Sequence, residues 1–307
     1  MDLLSRLSGF LLALGLSLGG MACRPDLAET YSPDFAPAPP GQVEYVFAVH
    51  PLHNPKRLLE VYGPIVDRLN ARIPQARFRF EASRNYAEFE RKLHQRQIHF
   101  ALPNPYQTVR CLHNGYRVFG KMGDDQLFRG LVLVRADSGI RRVADLKGKA
   151  ISYPASTALA ATLMPQLYLH THGLDVNRDV QNVYVGSQES SIMNVHLGLS
   201  DAGATWPVPW QAFQQHHADR AKDLRVLCET ESLPNNALVA RDDVPADLVR
   251  QVAAVLVGLR ADAEGRRFLA EIPISCFEPA TEATYEPVRR YLQRFSSQVR
   301  PIETGGL

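Results

Sequence analysis

Residues suited to covalent or metal chemistry are sparse in this sequence and fall in no working pattern. There are four cysteines in 307 residues, and Cys23, Cys111, Cys228 and Cys276 match neither CxxC nor zinc-ligand spacing. No HExxH, GxSxG or Walker A sequence occurs, which removes the usual signatures of zinc hydrolases, serine hydrolases and P-loop NTPases. His50/His53 and His216/His217 have no carboxylate or cysteine beside them at ligand spacing. No metal, no cofactor and no enzymatic activity is therefore expected. Excess charge of one sign is lacking too: 34 basic residues face 32 acidic ones, a net charge of +2, so no basic field points to nucleic acid. The apolar run Leu7–Gly20, about 14 residues, is short of the roughly 20 that a membrane helix needs.

That run does have the length of a signal-peptide core. Arg6 precedes it and small residues, Gly19-Gly20-Met21-Ala22, follow it, so residues 1–22 are read as an export signal. Cys23 directly after Ala22 resembles the lipobox of bacterial lipoproteins, and that resemblance implies cleavage before Cys23 and its lipidation. The alternative is plain secretion with cleavage nearby. Residues 23–41, with Pro25, Pro33, Pro37, Pro39 and Pro40, read as an extended tether. An exported chain can close one disulfide among Cys111, Cys228 and Cys276 and leave one thiol over; no pair is assigned.

Beyond the tether the pattern is α/β. Val43–Val49 is a near-continuous apolar run, as in a strand covered on both faces. Pro55–Ala71 carries Leu58, Leu59, Tyr62, Ile65, Val66 and Leu69 on one helical stripe, which Gly63-Pro64 should kink or divide. The strand–helix rhythm continues to residue 135, restarts at Ala150–Tyr153 and ends in three helices after residue 245. It predicts parallel, doubly wound sheets in two units. Ligands of such sheets sit beyond the carboxyl ends of strands, near helix N-termini. Polar donors stand at three such junctions: Asn104–Tyr106, Ser156–Ala158 and Ser187–Glu189. The central one, Tyr153-Pro154-Ala155-Ser156-Thr157-Ala158, reads as strand, turn and helix start, with two hydroxyls beside unpaired helix N–H groups. Ser156 is equally read as an ordinary N-cap. Tyr184 and Glu189 are further candidates without a defined place, and Trp206 is expected close enough to the cleft to report closure by fluorescence.

Several stretches, in their order and spacing, resemble the phosphate/phosphite/phosphonate-type solute-binding proteins of ABC transporters. The carriers are Asn54-Pro55, Asn104-Pro105-Tyr106, residues 132–140, Ala144–Lys149, Pro154–Thr157, Gly186-Ser187, Asp201–Ala204 and Leu233-Pro234-Asn235. The resemblance implies a two-lobed type II periplasmic-binding fold, two doubly wound sheets joined by two hinge strands near 131–135 and 235–240. It places residues 42–135 and 234–298 in a discontinuous first lobe, 136–233 in the second and 299–307 in a tail. It implies a small oxyanion held by Ser156, Thr157 and Ala158, with Tyr106, Gln188, Asn236 and His50 as further contacts. The partners implied are an ABC permease with its ATPase and, through the anchor, the extracytoplasmic membrane surface; the protein would be a monomer. Asn236 stands where aminophosphonate binders carry an acid, which favours an uncharged-tail phosphonate, phosphite or phosphate. Alternatives from the same residues are a ligand sensor partnering a membrane kinase or receptor, a binder of a non-phosphorus molecule, and a lipoprotein that has lost binding. Micromolar affinity takes about −8 kcal/mol, against roughly 1.5–3 kcal/mol per hydrogen bond to a charged group. Donors from both lobes are therefore required.

Overall fold

The computed structural model describes Tyr31 and residues 41–302. The export signal, Cys23, nearly all of the tether and residues 303–307 lie outside the described residues. In chain order the elements are β1 (Val43–Val49), α1 (Pro55–Arg72), β2 (Ala76–Glu81), α2 (Tyr86–His94), β3 (Phe100–Leu102), α3 (Pro105–Leu112), β4 (Tyr116–Met122) and β5 (Arg129–Arg135). They continue with β6 (Ala150–Tyr153), α4 (Met164–Thr171), β7 (Gln181–Tyr184), α5 (Gln188–His196), β8 (Ala202–Thr205), α6 (Pro207–His216), α7 (Ala218–Ala221) and β9 (Leu224–Ser232). The last are β10 (Ala237–Arg241), α8 (Ala246–Gly258), α9 (Ala263–Glu271), β11 (Phe277–Glu278) and α10 (Glu286–Gln298).

Two sheets result, ordered β11-β4-β10-β3-β1-β2 and β7-β6-β8-β5-β9. Both are mixed, where the sequence reading expected parallel sheets. β1 runs parallel to β2 and β3, and β6 to β7 and β8, while β10 and β5 are antiparallel to both of their neighbours. The antiparallel strands sit beside the places where the chain changes sheet. It leaves the first sheet after Met122, enters the second at Arg129, and returns between Ser232 and Ala237. The strand near 131–135, expected to cross between lobes, is wholly a member of the second sheet; the crossings are the short segments before β5 and before β10.

Those crossings are tied to each other. Asn235 donates its backbone N–H to Asp125 Oδ1 at 2.9 Å and its side-chain amide to the Gly123 carbonyl at 2.8 Å, and its own carbonyl accepts from the Tyr285 hydroxyl at 2.6 Å. Leu233 N–H donates to the Phe128 carbonyl at 3.0 Å. Lys121, 5% exposed, is neutralised by Asp125 and Glu278. A buried cation is costly unless paired, so this knot fixes the register of the two passages.

Helix α1 runs unbroken through Pro64, so the expected division does not occur. Gly63 has another use: a Cβ there would lie 2.2 Å from the Tyr31 ring, and only its absence lets that ring lie against the helix. Among the described residues, Cys111, Cys228 and Cys276 form no disulfide.

Candidate functional site

The carboxyl ends of β1, β3 and β6 and the start of α5 carry most of the polar residues singled out above. Asn104 caps α3, accepting the Gln107 N–H at 3.0 Å while Gln107 Oε1 accepts the Asn104 N–H at 3.0 Å. This reciprocal box satisfies donors the helix start would leave orphaned. With both caps engaged, the Asn104 side-chain N–H reaches across to the Thr157 carbonyl at 3.2 Å, so the end of β3 touches the turn after β6. Thr157, 3% exposed, donates its hydroxyl to Glu90 Oε1 at 2.5 Å. Glu90 also accepts from Gln107 Nε2 at 2.9 Å. Elements of both sheets thus meet at Thr157.

A second link runs beside it. Gln188, at the start of α5, donates to the Tyr86 hydroxyl at 3.3 Å and accepts from the Thr205 hydroxyl at 3.1 Å. The Tyr86 ring meets His50 edge-on, with centroids 5.9 Å apart. His50 is buried and donates Nδ1–H to the Leu102 carbonyl at 2.9 Å. Burial holds its pKa down at about 4, against the partial opposition of that bond, so His50 is a neutral ring with Nε2 left as an acceptor. Burial also raises the carboxyl of Glu90 above the usual range, although its bonds from Gln107 and Thr157 pull the other way.

The expected helix start at Thr157 is not formed. Residues Leu159–Leu163 make a π turn, with Ala158 ahead of it contributing no side-chain cap. Pro165 has no N–H to give to Ala161, which breaks the α pattern at this point. The wider turn instead closes Leu163 N–H on the Ala158 carbonyl at 3.2 Å. Ser156 and Thr157 therefore lie in a turn, and they diverge. Ser156 lines a cavity of about 210 Å³ with Asn177, Asn182, Tyr184 and Arg300, whereas Thr157 faces Glu90. Ala158 is buried at 2% exposure.

Tyr106, 4% exposed, lines a groove of about 60 Å³ with Glu90, Gln107 and Arg110. Asn236 is fully buried at the second crossing, its amide N–H toward Met122 Sδ at 3.2 Å and its Oδ1 without a partner among the described residues. Trp206 is buried at 1% exposure against Phe128. The histidines that look isolated in sequence come together: His53, His216 and His217 line a cavity of about 280 Å³ with Asn54, Arg57 and Glu189. Among the described residues no group of His, Cys, Asp or Glu is arranged to hold a metal ion.

Tyr86, Glu90 and Thr205 were not singled out from the sequence. Tyr86 and Glu90 stand four apart on α2, on one helix face, and a polar pair on that spacing next to apolar Phe89 and Leu93 was the available signal. Thr205 at the end of β8 carried none.

Mixed sheets joined by two crossings, with polar residues from both meeting at strand ends, have the build of a two-lobed solute receptor. Residues 47–285 match the family of ABC transporter, phosphonate, periplasmic substrate-binding proteins, and the chain belongs to that family. It is therefore a solute-binding component of an ABC transporter, in a family of binding proteins and not of enzymes. The fold is similar to that of a binding protein component of an ABC phosphonate transporter from Pseudomonas aeruginosa, with a TM-score of 0.78 and 14% identity over 84% of this chain and 88% of that one. PhnD1 from Prochlorococcus marinus, in complex with methylphosphonate, gives a TM-score of 0.76 and 15% identity over 82% and 98%. The alkanesulfonate-binding protein SsuA from Xanthomonas axonopodis gives 0.60 and 18% over 83% and 93%.

Proposed function

We propose that the chain captures a small phosphorus oxyanion, a phosphonate, phosphite or phosphate, between its two lobes and delivers it to an ABC permease. In this reading Cys23 is lipidated, residues 24–40 are the tether, and a monomeric body works at the extracytoplasmic membrane surface. The first lobe comprises the strands of the first sheet with α8 to α10, and the second lobe begins at β5. The observation that carries the reading is Thr157, buried in the turn after β6, whose hydroxyl meets Glu90 and whose backbone carbonyl meets Asn104, both from the side of the first sheet. Buried neutral donors from both sides are what a desolvated oxyanion requires, and lobes that bind it jointly close on it.

Thr157 and Ser156 should separate in a binding experiment. Thr157→Val keeps the side-chain shape and removes one donor to a charged group, about 1.5–3 kcal/mol or roughly 10- to 150-fold in affinity for methylphosphonate. Ser156→Ala, whose side chain lines the Arg300 cavity, should change that affinity by less than about threefold. Calorimetric titration of the two variants decides. An unchanged Thr157→Val affinity, or a larger loss in Ser156→Ala, contradicts the assignment.

A further inference from the structure

An acid at the hydroxyl that should greet an anion needs a physical reason. The carboxylate of Glu90 lies 2.5 Å from Thr157 Oγ1, so an oxyanion oxygen accepting from that hydroxyl comes into contact with a Glu90 oxygen. Two ionised oxygens in contact within a partly desolvated cleft repel each other strongly. A cation is the ordinary remedy, yet among the described residues no Lys or Arg bonds to Glu90. Arg110 acts on it only through space, and His50 is neutral. The counter-charge left is a proton. Placed between the two oxygens, it turns repulsion into a short charge-assisted O–H···O bond.

We propose that Glu90 shares one proton with the bound oxyanion and thereby selects ligands that bring that proton, phosphonates and hydrogen phosphate, over sulfonates and sulfate. The inference rests on the oxyanion reading given above and deepens it. A phosphonate monoanion carries one acidic hydrogen, which its P–OH donates to the Glu90 carboxylate while another oxygen accepts from Thr157. A sulfonate carries none at any pH where the protein is folded, so its binding must draw one proton from solvent onto Glu90. No covalent bond changes in either case. Because Glu90 touches the hydroxyl itself, it stands at the anion's head and not at a distant tail. Burial raises its carboxyl above the usual range, which eases its hold on a shared proton. The titratable groups facing it are Tyr86 on its own helix, Tyr106 and Arg110 on α3, and His94 and Cys111 around the adjoining groove. The side of the second sheet presents Thr157, which does not titrate.

Methylphosphonate and methanesulfonate, near-identical in shape, test this by calorimetry with the wild-type protein and Glu90→Gln. At pH 7 the wild type should prefer methylphosphonate by at least about thirtyfold, the scale of one charged hydrogen bond. Glu90→Gln, whose amide donates without taking up a proton, should reduce that preference at least tenfold, roughly, by tightening methanesulfonate. In the wild type alone, lowering the pH from 7 to 5 should shrink the preference by up to about tenfold per unit, a readout that stands even if the variant fails to fold. A preference that survives Glu90→Gln, or is flat with pH in the wild type, overturns proton sharing and leaves the oxyanion cleft intact. Equal wild-type affinity for the two ligands overturns it in the same way. A wild type that binds neither overturns the oxyanion reading, and this inference with it.

Discussion

Between pH 6.5 and 4 the protein should lose several kcal/mol of stability through two buried histidines. His50 is buried and neutral, its pKa lowered by burial to about 4, and His53 is lowered to about 3 by burial and by the nearby charges of Arg57 and other histidines. In the unfolded chain both titrate near the ordinary value of about 6.5. Below that pH the unfolded state binds protons that the folded state refuses, so stability is complete above pH 6.5 and falls as the pH drops toward 4. At about 1.36 kcal/mol per pH unit per group, His50 alone accounts for roughly 3 kcal/mol, out of a total of about 5–15 for a typical protein. Glu90, raised by burial, works in the opposite sense over part of this range and offsets some of the loss. Carboxyls held low by their partners, such as Glu88 at about 2 with the Arg84 backbone N–H as the chief cause, add their own loss only nearer their unfolded values. Urea unfolding at intervals from pH 7 to 4 measures the slope. His50→Asn retains an N–H for the Leu102 carbonyl and removes one titrating group, so its slope should be smaller by up to about 1.4 kcal/mol per pH unit. A flat wild-type profile, or an unaltered slope in the variant, contradicts the assignment of His50 as a neutral buried ring.

Trp206→Ala should cost about 3–5 kcal/mol. The indole is 1% exposed, directly after β8, with its ring 5.3 Å from that of Phe128. Phe128 is itself 1% exposed, and its carbonyl accepts from Leu233 in the returning crossing. Truncation therefore leaves a large cavity at the point where the crossings are packed onto the second sheet, a region held by knotted hydrogen bonds and unable to collapse freely. For a chain of this size the loss corresponds to roughly 6–20 °C in Tm. A denaturant midpoint that implies less than 1 kcal/mol would mean that the site relaxes or that the indole is not packed as described. Its burial also makes Trp206 a better reporter of unfolding than of lobe closure.

Much of this architecture was legible in the sequence because the signals are local. Val43–Val49 reads as a covered strand from its apolar run alone, and Asn104-Pro105 announces a capped helix start. Strand direction was less legible: β5 and β10 look like their parallel neighbours, and only the crossings beside them make them antiparallel. The start of the helix after β6 was misplaced because hydroxyl residues there resemble a cap, while the constraint that decides the matter, Pro165, lies nine residues beyond Ser156. At the site, the family pattern pointed to Thr157, Tyr106, Gln188 and His50; the structure sets Thr157 in one hydrogen-bonded network, Gln188 and His50 in the contacts beside it, and Tyr106 in the groove next to Glu90. Ser156 and Asn236 stand apart from those networks, one beside Arg300 and the other at the crossing. Glu90 could not be read from sequence as an inter-sheet contact. An acid on a helix is most often solvent-facing, and only the approach of the β6 turn makes it a contact between the two sheets.

A crystal structure of the protein with methylphosphonate tests the central claim most directly. One phosphonate oxygen should lie within about 3 Å of Thr157 Oγ1 and another against Glu90, with both sheets contributing contacts. A phosphonate seated instead in the Arg300 cavity or among His53, His216 and His217, with the Thr157–Glu90 bond intact, would contradict it.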